Sequence, residues 1–334
     1  MVFNVKAGEN GYDVAVGRGI LSNVGKLLNL DRRVLVVTDD GVPTTYSEKV
    51  EKACKKCVKV CLKQGEQSKN FDNFKLLLHT MLQNDFTRKD CVVAVGGGVV
   101  GDIAAFSASC YMRGIEFYNV PTTLLSQLDS SIGGKTAIDF EGVKNVVGSF
   151  YQPSKVIIDV DTLDTLEKRQ LHAGLVEAIK MAATSDKNLF ERIEKSENLK
   201  DDLLEIVQAS LAIKKDVVEK DPKEKGLRKV LNFGHTLGHA IESEQKGALL
   251  HGECVGIGML PMCSEEVEKR LEKVLKKYDL PTAANCDKKE LLRLMTHDKK
   301  ADGSKIRTVV VNEIGSFEFA DMTAKEILDR EDRL

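Results

Sequence analysis

The 334-residue chain has no tryptophan and only 5% aromatic residues. That scarcity argues against base-stacking platforms and carbohydrate-stacking surfaces. An excess of one charge is missing too: 49 Lys+Arg face 51 Asp+Glu, a formal net charge of -2. No global basic field exists to hold nucleic acid or an anionic membrane, so any anion site must be a local cluster. No stretch reaches the ~18 uninterrupted apolar residues that span a bilayer. Met1-Val2-Phe3-Asn4-Val5-Lys6 lacks the basic and apolar regions of a signal peptide. The expectation is a soluble, cytoplasmic chain. Eight cysteines at this length make no disulfide scaffold. Cys54, Cys57 and Cys61 fit a helix end and a strand, as small hydrophobes, better than a metal site.

What is present is a core-forming composition, 42% hydrophobic, at a length that suits two domains. The first half alternates strand and helix. Val34–Val37 and Cys91–Val95 are valine-rich apolar runs of the kind that fill doubly covered parallel strands. Residues 57–63, 116–120 and 156–159 read as further strands. Helices are predicted at 44–56 and 71–85, the latter with Phe71, Phe74, Leu77, Leu78 and Met81 at helical spacing. Strands spaced by helices imply an open parallel sheet. From Leu166 to about Tyr278 strand signal nearly vanishes and long helical periods take over, with 264–278 a solvated Lys/Glu face. A short β pair is expected at 306–311 and 316–319. The fold class is α/β: an N-terminal parallel-sheet domain, 1–160, then a mainly helical domain, 161–334.

Three constellations carry chemistry. Gly96-Gly97-Gly98-Val99-Val100-Gly101-Asp102 follows a buried strand and opens a helix, where free N–H groups stabilise a diphosphate. Its spacing is not the usual dinucleotide fingerprint. Three of the six histidines, His235, His239 and His251, fall within seventeen positions. His235 and His239 at i and i+4 can grip one divalent metal, or hold one ligand and one acid–base or anion-binding group. Glu177 is the candidate for a further ligand. It lies inside an apolar helical face, and if buried must meet a cation; the alternative is a surface pair with Lys180. Basic and amide residues form the third set. Arg228, Asn232, His235 and His239 are spaced to form one helical stripe suited to a small polyanion, and Lys135, Lys144, Asn145, Lys214, Lys299 and Lys300 lie beside glycines or small residues.

These segments resemble the 3-dehydroquinate synthase family of the shikimate pathway over nearly the whole chain. The resemblance is carried by Gly65–Lys69, Gly96–Asp102, Val120–Leu125, Asp129–Thr136, Gly174–Lys180, Leu231–Glu242, His251–Glu253 and Asp298–Lys300. It implies a metal, usually zinc with cobalt as the alternative, on Glu177, His235 and His251, and assigns His239 to the substrate phosphate. It implies NAD along Gly97, Gly98, Val99 and Asp102, with Thr122 and Thr123 beside it. Asp39, Glu66 and Lys69 resemble adenosine-side contacts, and Asp129, Lys135 and Lys144 complete the cofactor set. Gly41 departs from the family, in which many members carry Asn there.

The implied substrate is 3-deoxy-D-arabino-heptulosonate 7-phosphate. Transient oxidation at C5 by NAD, phosphate elimination, re-reduction, ring opening and aldol closure would give 3-dehydroquinate, making the enzyme a carbon–oxygen lyase. Lys135, Asn145, His239 and one of Lys299 or Lys300 are expected at the phosphate, Arg228 and Lys214 at the carboxylate, Asp129 and Lys180 at the hydroxyls, and Asn232 ahead of the metal. Arg113 is expected to reach the site of a neighbouring subunit, implying a homodimer. The alternatives are a metal- and NAD-dependent polyol dehydrogenase of the same fold, and a non-catalytic NAD-binding module.

Overall fold

The computed structural model describes residues 1–6, 11–222, 224–297 and 305–330. They form two compact units, Met1–Leu166 and Glu167–Leu334. Residues 161–166, assigned by sequence to the second domain, pack in the first. The reason is a 3-10 turn over Val160–Thr165, begun by the Asp159 side chain accepting from Asp161 N–H. Leu163 is buried, and Tyr46 Oη lies 2.9 Å from Thr165 Oγ1.

The first unit is built on a seven-stranded sheet. Its members are β1 (Val2–Val5), β2 (Tyr12–Gly17), β3 (Arg33–Asp39), β4 (Lys56–Leu62), β5 (Cys91–Gly96), β6 (Glu116–Pro121) and β9 (Lys155–Asp159), in the order β1-β2-β9-β6-β5-β3-β4. All neighbours are parallel except β1 and β2. The valine-rich runs are buried on both faces because side chains alternate. Val34, Val36, Val93 and Val95 enter one core with Tyr46 and Val50 from α2 (Thr44–Ala53) and Val24 from the short α1 (Val24–Leu27). Leu35, Val37, Val92 and Ala94 enter the other, with Leu77 and Met81 from α3 (Phe71–Gln83) and Ile103 and Ala104 from α4 (Gly98–Cys110). The β1–β2 pair is additional to the sequence reading. So is the hairpin of β7 (Lys135–Phe140) and β8 (Val143–Phe150), turned at Glu141 and Gly142, both at positive φ.

Between β6 and β7, Ser126–Ser130 forms one π turn. Gln127, fully buried, pins it: its Nε2 faces Pro121 O at 3.2 Å, Asp159 O at 3.1 Å and Thr162 Oγ1 at 3.1 Å. Pro121 and Asp159 end β6 and β9, and Thr162 lies in the 3-10 turn that follows β9, so one amide fastens the turn to the sheet edge where ligands bind in open α/β folds. Gln127→Leu is expected to cost about 1–3 kcal/mol, because buried acceptors lose their donor. The midpoint of thermal unfolding measures it.

The second unit is mainly helical: α5 (Lys168–Ser185), α6 (Lys187–Lys195), α7 (Leu199–Lys220), α8 (His235–Gln245), α9 (His251–Met259), α10 (Glu265–Lys277), α11 (Lys288–His297) and α12 (Ala324–Leu328). One antiparallel pair, β10 (Ile306–Val310) and β11 (Glu318–Met322), accompanies them. No described helix is long and apolar enough to cross a membrane.

Candidate active site

In the first unit the glycine turn leads from β5 into α4, with Gly97 as the N-terminal flanking residue. A Cβ on Gly97 would lie 3.2 Å from the Thr123 methyl, and one on Gly98 3.2 Å from Ser130 Oγ. Thr122 N–H donates to Gly96 O at 2.9 Å. Gly97, Gly98, Thr122 and Thr123 thus meet at the carboxyl ends of β5 and β6, beside the π turn that carries Asp129. Val99 is half-buried one residue into the helix.

A second group surrounds Lys69, which is buried. Its Nζ donates to Asp102 Oδ2 at 2.8 Å and to Asn145 Oδ1, and lies 3.4 Å from Glu66 Oε1. Burial pushes the Asp102 carboxyl up to about 6 against the pull of Lys69. Asn145, which is expected at the phosphate, sits beside this lysine. It adopts a left-handed backbone (φ 55°) with its N–H held by Asp139 Oδ1, and its Oδ1 accepts from Lys69 Nζ. Asp39, at the end of β3, accepts from Gly41 N–H at 2.9 Å. A Cβ on Gly41 would fall 2.4 Å from Gln64, so the glycine makes room for that side chain. Lys135, Lys144 and Arg113 are exposed, Arg113 in a left-handed turn (φ 69°).

The second unit gathers the histidines. Glu177, in the middle of α5, is fully buried and paired with Lys180, itself only 2% exposed. The choice between surface pair and buried ligand resolves as a buried ion pair. Glu177 Oε1 has no hydrogen-bond partner, yet lies 3.7 Å from Nε2 of both His235 and His251. Burial favours the neutral acid, but Lys180, His251 and His235 outweigh it and hold the carboxyl well below its usual range. Burial, then the charge of Lys180, lowers His235 to about 3. His251 is also opposed by burial, but Glu177 and Glu242 raise it to about 10.

Both rings have their other nitrogen engaged. His235 Nδ1 is 3.0 Å from Phe233 O, and His251 Nδ1 is 2.9 Å from Glu242 Oε2. Two Nε2 atoms and an orphaned carboxylate oxygen thus converge, a donor set that a divalent cation satisfies and that leaves a position open for substrate. Nitrogens of His235, His239 and His251 also lie within 4.8 Å of one another, the one such cluster among the described residues. His239 is exposed.

Close helix contact makes this convergence possible. A Cβ on Gly252 would lie 1.9 Å from Ala173 O on α5, and one on Gly258 2.2 Å from Gly234 O, just before α8. Glycine alone permits these approaches. The start of α9 is held by Glu253, which caps Leu250 N–H and takes a bidentate pair from Arg169, both contacts at 2.7 Å.

The continuous stripe from Arg228 to His239 does not form. Leu227–Asn232 is a 3-10 turn, Phe233 leaves the helical region at ψ 126°, and Gly234 at φ 76° restarts the chain as α8. Arg228 is buried and donates to Pro222 O at 2.9 Å, whereas Asn232 is exposed and donates to Glu224 Oε1. Lys214 is buried on α7, on which the 3-10 turn packs. Lys299 and Lys300 lie outside the described residues. Sequence reasoning gave no role to Glu242, Arg169, Glu253 or Gln127. Of these only Glu242 left a readable signal, seven positions after His235 on the same helical face.

A glycine turn at the carboxyl edge of a parallel sheet, joined in one chain to a helical unit in which a buried Glu meets two half-buried His, defines a two-unit α/β enzyme equipped for a nucleotide and a divalent metal. Family models described as 3-dehydroquinate synthase N-terminal and C-terminal match residues 59–173 and 174–301. The 3-dehydroquinate synthase of Clostridium acetobutylicum is 39% identical, with 96% of each chain covered. That of Enterococcus faecalis is also 39% identical, over 98% of this chain and 97% of its own. The chain belongs to the 3-dehydroquinate synthase family. Among solved structures, 2-epi-5-epi-valiolone synthase from Streptomyces hygroscopicus, with NAD+ and Zn2+ bound, matches at TM-score 0.87 and 28% identity, with 96% of each chain covered. A 2-deoxy-scyllo-inosose synthase matches at TM-score 0.90 over the full length of both chains, and at 23% identity shows the shared fold.

Proposed function

We propose that the chain converts 3-deoxy-D-arabino-heptulosonate 7-phosphate to 3-dehydroquinate and phosphate, as a cytoplasmic homodimer using NAD and zinc or cobalt. The observation that carries this reading is 39% identity to 3-dehydroquinate synthases over nearly the full length of both partners. When bound, NAD supplies a hydride acceptor that gives the hydride back, and the metal supplies Lewis-acid polarisation of the substrate hydroxyls.

The protein's part is holding and orienting. The Met1–Leu166 unit binds the nucleotide at Gly97, Gly98, Val99, Asp102, Thr122 and Thr123, with Asp39, Glu66 and Lys69 on the adenosine side. Glu177, His235 and His251 hold the metal. Lys135, His239 and one of Lys299 or Lys300 neutralise the phosphate. Arg228 and Lys214 take the carboxylate, the arginine through its planar fork. Asp129 and Lys180 contact hydroxyls. Arg113 serves the neighbouring subunit. Asn145 joins Lys135 and His239 at the phosphate, its Oδ1 also accepting from Lys69.

Because the hydride returns to the same substrate, NAD is needed in catalytic amounts only. With substrate in large excess over NAD, phosphate release should continue for many turnovers with no matching rise in the reduced-nicotinamide band. A rise equal to the phosphate released would replace the synthase reading with a net oxidation.

A further inference from the structure

We propose that Glu242 is a positioning residue for the metal, holding His251 as a ligand through the far side of its ring. The inference rests on the reading of Glu177, His235 and His251 as the metal set. It concerns a residue outside that set.

The geometry is direct. His251 Nδ1 lies 2.9 Å from Glu242 Oε2, while Nε2 of the same ring faces Glu177 Oε1. An imidazole that donates from Nδ1 to a carboxylate is fixed as the tautomer whose Nε2 lone pair is free. Its orientation is fixed as well, and the negative charge behind it makes it a stronger electron donor. His235 differs. Its Nδ1 meets the main-chain carbonyl of Phe233, a neutral acceptor. The two rings are therefore oriented alike but not electronically equal, and His251 is the more basic ligand.

The fold supports this contact from both sides. Glu242 follows His235 by seven positions on α8, so it rises on the face that carries the histidines. His251 opens α9, whose first turn is fixed by the Arg169–Glu253 pair, and the glycine contacts bring α8 and α9 close enough for the contact. The Glu242 side chain is 19% exposed, so its charge is only partly screened by water.

The test is zinc affinity of the purified full-length chain, stripped by chelator and titrated in competition with a chromophoric chelator. Loss of such a contact typically weakens metal binding about 10–100-fold. Glu242→Ala should fall in that range. Glu242→Gln should weaken binding less, because its amide oxygen still accepts from Nδ1–H although the charge is gone. The melting temperature of the metal-free protein should be unchanged in the Gln variant, which separates positioning from a general structural role. Zinc affinity of Glu242→Ala within twofold of wild type would overturn the proposal; if that variant does not fold, wild-type affinity in Glu242→Gln would do the same. A wild-type chain that binds zinc no better than His235→Ala would overturn the metal reading itself, and this proposal with it.

Discussion

Gly258→Ala should cost the protein at least about 3 kcal/mol, the upper part of the range for overpacking a core. The new methyl would meet Gly234 O at 2.2 Å and Gly238 N at 2.7 Å, both main-chain atoms that no side-chain rotation can move. The helices carrying His235 and His251 would have to part, so zinc should be lost together with stability. Gly256→Ala on the same helix is the contrast. Its methyl would meet the tip of Leu275 at 3.2 Å, which can shift, and alanine favours the helix. Urea denaturation of both variants measures the difference. Equal stability in the two would show that the close crossing at Gly258 is not needed.

His235→Ala should leave the chain folded and without its metal after dialysis, since a site reduced to two protein ligands binds far more weakly. Removing Lewis-acid stabilisation worth several kcal/mol lowers kcat by roughly a thousandfold or more. His239→Ala should keep the metal and lower kcat/KM by roughly 10–150-fold, the range for a lost charge-assisted hydrogen bond to the phosphate. Metal analysis on both variants decides the assignment. Stoichiometric zinc in the His235 variant would move that residue out of the ligand set and bring His239 into it.

The readable parts of the sequence were those in which burial leaves no choice. Val34–Val37 and Cys91–Val95 can be unbroken valine-rich apolar runs only because both faces are covered, so they announce strands. The β7–β8 hairpin gave no such signal. Val143, Val146 and Phe150 are exposed on β8, and its polar positions follow no strict alternation. At the site, Glu177 was readable because a carboxylate on an apolar helix face needs a cation, a matter of energy rather than pattern. The break before α8 was not. Gly234 and Gly238 are the same residue four positions apart, yet one adopts φ 76° and ends a turn while the other continues a helix. Only packing against Val255 and Met259 separates them. Glu242 went unassigned because an acid near the end of a helix ordinarily faces water.

Three of the nine residues of α9 are glycine, Gly252, Gly256 and Gly258. Each lowers intrinsic helix stability by about 1 kcal/mol relative to alanine. Left to itself, that segment would be a coil. It becomes helical only when α5 and α8 close around it, so secondary and tertiary structure form there in one event. Its backbone amides should therefore share a single opening energy with those of α8, and hydrogen exchange should release the two helices together rather than fraying α9 first. The His251 end of the site then has no loosely held state of its own: it is either assembled or unfolded.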